Sequence, residues 1–444
     1  MFTHTLRSIR RPICSLSILV FAYLPFISEA GAVDPLTAGI ATSSITPDTK
    51  ALHVPLGGYG ERQNAPAQGV HDNILCKALI LQRGDKKFAL VTTDLLGIPR
   101  SLREVVLTRI PETGITSDNL MLTASHSHGA TEMSAMNSRN VFNNKGIGIF
   151  DEKLLDFTAG KIAEAIIAAN QSFQPVRVGT DSVAVDGMNR NRRESPIVDN
   201  ELTVTRFDRK DGTPLAVFVN WTAHPTFSNA ETMVVTADWP GYLQREIEAF
   251  MPTATCLYTN GAEGDISTAG AEGPSEFARM EDYGRDVAVK VLELAKGIET
   301  RPDVVFDYSM TTLNLPEHEV PAALKDAAGP EYGLTPENLP ALLDAVSPKS
   351  SYLGILRVGD LVAVGIPGEM ASSLGVQIKQ SLVESGAKHP IIAGLANEWI
   401  SYMLPSDEYH KGGYEPGVSF YGKTLGPVVV SQAIDAGKAL IAKH

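Results

Sequence analysis

Short, strongly apolar runs that stop at polar residues are the feature of this chain that most constrains its fold. The clearest of them, Leu215–Trp221, is nearly all apolar, which is typical of a strand buried on both faces. Segments with apolar residues at helical spacing, such as 151–169, stand between such runs. This alternation predicts an α/β fold with mixed β-sheets flanked by helices. No repeat, low-complexity tract or linker divides the sequence, so we expect one large domain.

Local patterns place several further elements. Arg83–Lys86 joins two β-rich runs and predicts a hairpin. Residues Glu276–Lys296 and Thr424–Lys443 predict helices, and a proline-rich insertion predicts a short helix near 335–345. Residues 36–72 are rich in glycine, proline and polar side chains, and they predict an extended surface segment without a strand.

The first 32 residues differ from the rest of the chain. Three arginines precede an apolar stretch from Ile13 to Ile27, and small residues suited to cleavage follow. A membrane anchor would need about 20 uninterrupted apolar residues, which Pro25 and Glu29 oppose. We therefore predict a signal peptide over residues 1–32, a mature domain over residues 33–444 without a membrane span, and a secreted or periplasmic location.

The chain is acidic, with a formal net charge of −13 at pH 7. Removal of residues 1–32 takes away three arginines and one glutamate and leaves a charge of −15. Nucleic acid and anionic membrane surfaces repel a body this acidic, so neither is an expected partner. Cys76 and Cys256 remain after cleavage, and the sequence leaves open whether they form one disulfide or a buried free pair.

Polar residues with metal-binding chemistry follow several of the apolar runs. They are His126, His128, His224, Glu369 and Tyr402. His126 and His128 are one residue apart at a strand end, so their side chains are expected to project to the same side. Imidazoles and a carboxylate with an open position form the ligand set of a catalytic zinc site. Each residue alone could instead be a core histidine or part of an ordinary turn.

Longer motifs surround these residues and occur in a fixed order. They are Ala124–Gly129, Met188–Arg190, Asn220–Pro225, Asp238–Tyr242, Gly264–Ser267, Pro367–Glu369 and Asn397–Glu415. In these motifs the chain resembles the neutral, non-lysosomal ceramidase family in its N-terminal catalytic domain. The resemblance covers most of the mature chain. It implies a hydrolase that cleaves the N-acyl amide bond of ceramide or a related N-acyl lipid with a zinc-activated water.

The resemblance also implies roles for individual residues. One Zn²⁺ per chain would be held by His126, His224, Glu369 and Tyr402. His128 would act as acid and base, Arg190 and Tyr414 would face the oxyanion, and Ser267 would lie in the pocket. These roles suit amide hydrolysis, because a tetrahedral oxyanion needs hydrogen-bond donors and the leaving amine needs a proton. Ser267 could alternatively be read as a nucleophile.

Two departures from the family pattern leave the substrate open. We expect no C-terminal immunoglobulin-like domain, since the chain ends soon after its last predicted helix, and Gly261–Asp265 differs from the shorter turn of the family. A zinc amidase or esterase for a smaller, non-sphingolipid substrate is therefore an alternative, and a non-catalytic binding protein that retains the site is another. The expected partner is a small-molecule or lipid amide, and the sequence leaves the oligomeric state open.

Overall fold

The computed structural model describes residues 1–3, 5, 34–326 and 328–443. Contacts divide the chain into two units, Met1–Asp34 and Pro35–His444. The predicted signal peptide lies almost wholly outside the described residues and stays a prediction. The elements of the fold belong to the second unit. Among the described residues, no helix is both long enough and apolar enough to cross a bilayer.

Strands and helices alternate along the chain. The strands are β1 Thr37–Ser44, β2 Gly69–Val70, β3 Leu75–Arg83, β4 Lys86–Thr93, β5 Leu120–Ala124, β6 Gln174–Ala184, β7 Asn189–Asn191, β8 Glu201–Arg209, β9 Pro214–Trp221, β10 Val234–Val235, β11 Thr255–Asn260, β12 Ile266–Thr268, β13 Phe306–Asn314, β14 Ser350–Val358, β15 Leu361–Gly365, β16 Glu369–Met370, β17 His389–Ala393 and β18 Tyr402–Met403. The helices are α1 Arg100–Thr108, α2 Glu152–Ala169, α3 Asp238–Phe250, α4 Glu276–Gly297, α5 Ala328–Tyr332, α6 Leu339–Val346, α7 Ser372–Glu384, α8 Ser406–Tyr409, α9 Tyr414–Gly417 and α10 Leu425–Ile441.

Two mixed sheets carry the fold. The larger has eight strands in the order β11-β9-β8-β6-β1-β3-β4-β5, and the smaller has four in the order β13-β14-β15-β17. Most neighbours are antiparallel, but β4 and β5, β9 and β11, and β15 and β17 are parallel pairs. The prediction of mixed sheets flanked by helices is confirmed.

The sheets pack against each other through one face and against helices through the other. Along β3, Leu79 and Leu81 join a cluster that contains Leu356 and Ala363 of the smaller sheet, whereas Ile80 joins a cluster with α1 and α2. This split follows from the alternation of side chains along a strand. Helices α3 and α4 cover the other half of the larger sheet, and α7 and α10 cover the smaller one.

The segment 36–72 contains a strand that the sequence did not predict. β1 pairs with β3 along its whole length, from Thr37 opposite Gln82 to Ser44 opposite Leu75. The prediction of an extended segment without a strand was wrong here, because pairing with a strong neighbour outweighs a weak local pattern.

The two cysteines of this unit are free thiols. Cys76 lies on β3 and Cys256 on β11, and both are fully buried. Of the two possibilities that the sequence left open, the structure therefore shows the buried free pair.

Candidate active site

The carboxyl ends of strands from both sheets meet at one place. His126 and His128 follow β5, and His224 follows β9, both in the larger sheet. Glu369 begins β16, four residues after β15 of the smaller sheet, and β16 pairs in parallel with β18, which places Tyr402 opposite Glu369. Side chains that are far apart in sequence therefore converge at this edge, as predicted from their positions after apolar runs.

A buried amide fixes the two histidine loops relative to each other. Asn260, at the end of β11, donates through Nδ2 to the Ser125 carbonyl at 3.2 Å and to the Ala223 carbonyl at 2.9 Å. These carbonyls directly precede His126 and His224. His126 itself has a φ of 74°, which is uncommon for a residue other than glycine and turns its side chain inward.

Hydrogen bonds aim the imidazoles of His126 and His224 at a common point. Nδ1 of His126 donates to the Leu96 carbonyl at 2.6 Å, and Nδ1 of His224 donates to the Ile266 carbonyl at 3.1 Å. Because each Nδ1 is used as a donor, each Nε2 is left with its lone pair facing the centre. Both Nε2 atoms lie 3.2 Å from Oε2 of Glu369.

This arrangement fits a tetrahedral metal ion. Ligand atoms bound tetrahedrally at about 2.0–2.1 Å from zinc lie roughly 3.3 Å from one another, close to the 3.2 Å separations of Oε2 of Glu369 from the two Nε2 atoms. His126, His128 and His224 also form a group whose nitrogen atoms lie within 4.8 Å of one another and could hold a metal ion. The donor set is therefore suited to a metal ion.

Electrostatics keep the donors ready to bind. Burial lowers the pKa of His224 to about 4, with Arg192 adding to the effect, so its imidazole is neutral at pH 7. Burial alone would raise the pKa of Glu369, but the two neighbouring histidines hold it well below its usual range. Neutral imidazoles and an ionised carboxylate are the forms that bind metal. The indole of Trp399 donates to Oε1 of Glu369 at 2.8 Å and fixes the carboxylate.

His128 is held differently from the other two histidines. Its Nε2 lies 3.4 Å from Nε2 of His126, and Tyr59 contacts its ring edge-on with 5.0 Å between centroids. Its Nδ1 is buried and has no hydrogen-bond partner among the described residues. Burial and the two other histidines lower its pKa well below the usual value, so this imidazole is neutral at pH 7.

Tyr402 lies beside Glu369 and the partly buried guanidinium of Arg192. Burial and Glu369 raise the pKa of the Tyr402 phenol well above its ordinary value. Arg192 donates to the Tyr402 hydroxyl at 3.3 Å, to the Gly264 carbonyl at 2.8 Å and to Glu415 at 2.7 Å. A positive charge is thus fixed next to the metal donors.

The remaining predicted residues lie at different distances from this centre. Tyr414 lines the pocket, and its hydroxyl lies 2.8 Å from that of Tyr332. Ser267 is only partly buried on β12, where its backbone bridges to His224, and it does not line the pocket. Arg190 is exposed on β7, opposite Ser267. The structure thus places the guanidinium of Arg192 rather than Arg190 at the centre.

Three residues of the site were not predicted from the sequence. They are Arg192, Trp399 and Tyr332. Arg192 belongs to the arginine-rich run Asn189–Arg193, and Trp399 stands inside the Asn397–Tyr402 motif, so both had a signal nearby. Tyr332 lies in the proline-rich insertion and carried no comparable signal.

A pocket opens from the metal donors and is lined by apolar and polar side chains. The apolar ones include Leu334, Leu342, Leu343 and Val346, which come from α6 and the turn before it, together with Ile147 and Phe420. The polar ones include Arg100, Glu132, Ser134, Asn137 and Glu398. Arg100 and Glu398 form a two-pronged ion pair with both contacts at 2.7 Å. The pocket can therefore hold a molecule with an apolar and a polar part.

Known proteins are similar to this chain in sequence and in fold. A family model described as neutral/alkaline non-lysosomal ceramidase, N-terminal, matches residues 37–268 and 319–429. The neutral ceramidase of Pseudomonas aeruginosa is 22% identical, over 87% of this chain and 69% of that protein. Neutral ceramidase A of Dictyostelium discoideum is 23% identical, over 67% of this chain and 43% of that protein.

Solved structures agree with the sequence comparisons. The crystal structure of the Pseudomonas aeruginosa neutral ceramidase matches with a TM-score of 0.78 at 20% identity, over 92% of this chain and 75% of that chain. A structure described as a ceramidase complexed with C2 matches with a TM-score of 0.79 at 19% identity, over 92% of this chain and 76% of that chain. These likenesses show a shared fold. Since the family model covers well over half of the sequence, this chain belongs to the neutral/alkaline non-lysosomal ceramidase family.

Proposed function

We propose that this protein is an exported, zinc-dependent amidohydrolase that cleaves the N-acyl amide bond of ceramide or a related N-acyl lipid. The observation that carries the proposal is the convergence of two aimed imidazoles on one carboxylate oxygen, each 3.2 Å away, at the inner end of a partly apolar pocket. Family membership supports the reaction class. The sequence pattern of residues 1–32 supports export.

One zinc ion per chain would be held by His126, His224, Glu369 and Tyr402. Zinc in such a site supplies Lewis-acid activation of water and of a carbonyl oxygen. The chain's own residues handle the proton. His128, which burial keeps neutral, takes a proton at Nε2 from the attacking water and delivers it to the leaving nitrogen. The carbon–nitrogen bond of the amide breaks as the new carbon–oxygen bond forms.

Fixed donors stabilise the charge that develops on the carbonyl oxygen. Arg192 is partly buried beside the centre and held by Glu415, so it needs little reorganisation during the reaction. The Tyr414 hydroxyl, which lines the pocket, is a second donor. In this proposal Arg192 has the role that the family resemblance implied for Arg190, and Ser267 has a positioning role next to His224.

The polar residues of the pocket are compatible with a second candidate substrate class. Arg100, Glu132 and Asn137 could contact the hydroxyl groups of a ceramide, but they could equally contact the polar end of a smaller amide or ester. An amidase or esterase acting on such a compound uses the same catalytic residues. The two candidates differ only in what fills the pocket.

Hydrolysis measurements on the purified, metal-analysed protein test both candidates. The substrates run from long-chain ceramides through short N-acyl amides to esters, and His224→Ala is the matched control because it removes one metal ligand. We expect amide turnover in the wild type and none in the variant. Turnover of esters alone would contradict the amidase proposal, and full activity after exhaustive chelation would contradict the metal.

A further inference from the structure

We propose that Arg62 is a positioning residue that holds His128 in its reactive orientation. The proposal rests on the proposed function only in calling that orientation reactive. Arg62 is almost fully buried at the end of the short 3-10 turn Gly60–Arg62. It is remote in sequence from the three histidines, Glu369 and Tyr402, and it belongs to none of the motifs that marked the site.

The guanidinium of Arg62 donates hydrogen bonds to main-chain carbonyls. Nη1 donates to the carbonyls of Gly57 and His128, both at 2.6 Å. Nη2 donates to the carbonyls of Asn229 at 2.6 Å and Thr232 at 3.1 Å. One side chain thus joins three segments: the turn that contains Gly57, the loop of His128, and the loop that follows His224.

No carboxylate is hydrogen-bonded to this cation within the described part of the chain. Burial lowers the pKa of Arg62 to about 10, which reflects the cost of keeping a charge in this interior. Carbonyl dipoles compensate the charge, together with the more distant carboxylates of Glu132 and Glu61. Burying a cation costs free energy that an apolar side chain of the same size would not cost. The contribution of Arg62 is therefore the fixed geometry of its five N–H donors in a planar fork.

The turn that Arg62 anchors presses directly on the His128 ring. Tyr59 contacts the imidazole edge-on, and the guanidinium lies over the Tyr59 ring at 4.9 Å from its centroid. Gly58 has a φ of +87°, and a Cβ at this position would lie 2.1 Å from Nδ1 of His128. The Gly57 N–H donates to the Ala130 carbonyl at 2.9 Å and so joins this turn to the loop of His128.

His128 needs this support because no hydrogen bond at Nδ1 fixes its ring. Nδ1 of His126 and Nδ1 of His224 each donate to a carbonyl, which fixes both rings. Nδ1 of His128 has no such partner among the described residues. Its orientation therefore depends on its backbone, which Arg62 holds, and on the packed turn. Misplacement of a reacting group by about 1 Å can cost on the order of 100-fold in rate.

The test compares Arg62→Met and Arg62→Lys with Arg206→Met. Arg206 is a matched control. It lies on β8, is partly buried and donates to the Ala295 carbonyl of α4 at 2.8 Å. It does not line the pocket. We expect Arg62→Met to keep its zinc and its KM within about threefold while kcat falls 10-fold to 100-fold. Arg62→Lys should recover part of kcat, and Arg206→Met should keep the wild-type kcat.

Histidine NMR gives a second readout that does not depend on turnover. We expect the His128 imidazole signal to be single in the wild type and broadened or split in Arg62→Met, with the signals of His126 and His224 unchanged. If Arg62→Met does not fold, Gly58→Ala replaces it, because its Cβ displaces the same ring without removing the charge.

An unchanged His128 signal in these variants, loss of zinc from Arg62→Met, or an equal loss of kcat in Arg206→Met would overturn the proposal. If the wild type cleaves no amide at all, the proposed function fails, and the NMR comparison still decides whether Arg62 positions His128.

Discussion

The three histidines of the site have different surroundings, and these surroundings predict different roles. His126 and His224 are locked by Nδ1 hydrogen bonds, as metal ligands usually are. His128 has an unpartnered Nδ1 within the described structure and is positioned by packing. A residue that must gain and lose a proton during each turnover suits the second arrangement.

Two tyrosines near the centre should behave differently when truncated. Tyr402 lies opposite Glu369 in the β16–β18 pair, whereas the Tyr414 hydroxyl contacts Tyr332 at the pocket. Tyr402→Phe should weaken zinc retention, because it removes a proposed ligand. Tyr414→Phe should keep the zinc and lower kcat by about 100-fold, as for the loss of one oxyanion donor.

Zinc content and kcat measured on both tyrosine variants check this prediction. Equal zinc loss in the two variants, or an unchanged kcat in Tyr414→Phe, would show that their roles are assigned wrongly.

The sequence was informative about donors that follow strong strands and less informative about residues placed by distant contacts. The positions of the histidines and Glu369 were predictable, because each follows a strongly apolar run that forms a buried strand. Arg192 was not, since its place depends on Glu415, which is 223 residues further along the chain. Arg190, two residues earlier, is the arginine that belongs to the motif Met188–Arg190, so the resemblance pointed to it instead.

At the scale of elements, helices with clear ends were predicted closely. The helix predicted over Glu276–Lys296 is α4, Glu276–Gly297, and the one predicted near residues 335–345 is α6, Leu339–Val346. β1 was missed because its sequence, Thr37–Ser44, has small and polar side chains, and its strand character comes from pairing with β3. Propensity cannot show a partner that lies 30 or more residues away.

Helix α6 has one face on the pocket, and that face should set the length of the acyl chain. Leu342 lines the pocket, and Ala341 on the same helix is exposed. Leu342→Trp should fill part of the pocket and lower kcat/KM for long acyl chains by about tenfold relative to short ones. Ala341→Trp is the control and should leave the ratio unchanged. A chain-length series of N-acyl amides measures it, and equal ratios in the two variants would remove α6 from the acyl site.

At the scale of the whole molecule, the metal donors link elements that follow two different sheets. His126 and His224 follow strands of the larger sheet, and Glu369 follows a strand of the smaller one. Because metal binds only the folded arrangement, it should stabilise the protein by about 2.7 kcal/mol at a free concentration of 100 Kd. Chelation should lower the Tm of the wild type and leave His224→Ala unaffected. Thermal unfolding with and without chelator measures this, and an equal shift in both proteins would contradict it.

Alkylation of the two free thiols of this unit can report when the larger sheet opens. Cys76 and Cys256 lie on β3 and β11, and burial raises the pKa of Cys256 to about 12 and that of Cys76 even further above its usual value. Only the thiolate reacts with alkylating reagents, so neither thiol should be labelled while its strand is in place. Mass spectrometry would then measure the rate at which each thiol is alkylated. Equal rates indicate that the sheet opens as one unit. Faster labelling of one thiol identifies the half of the sheet that opens first.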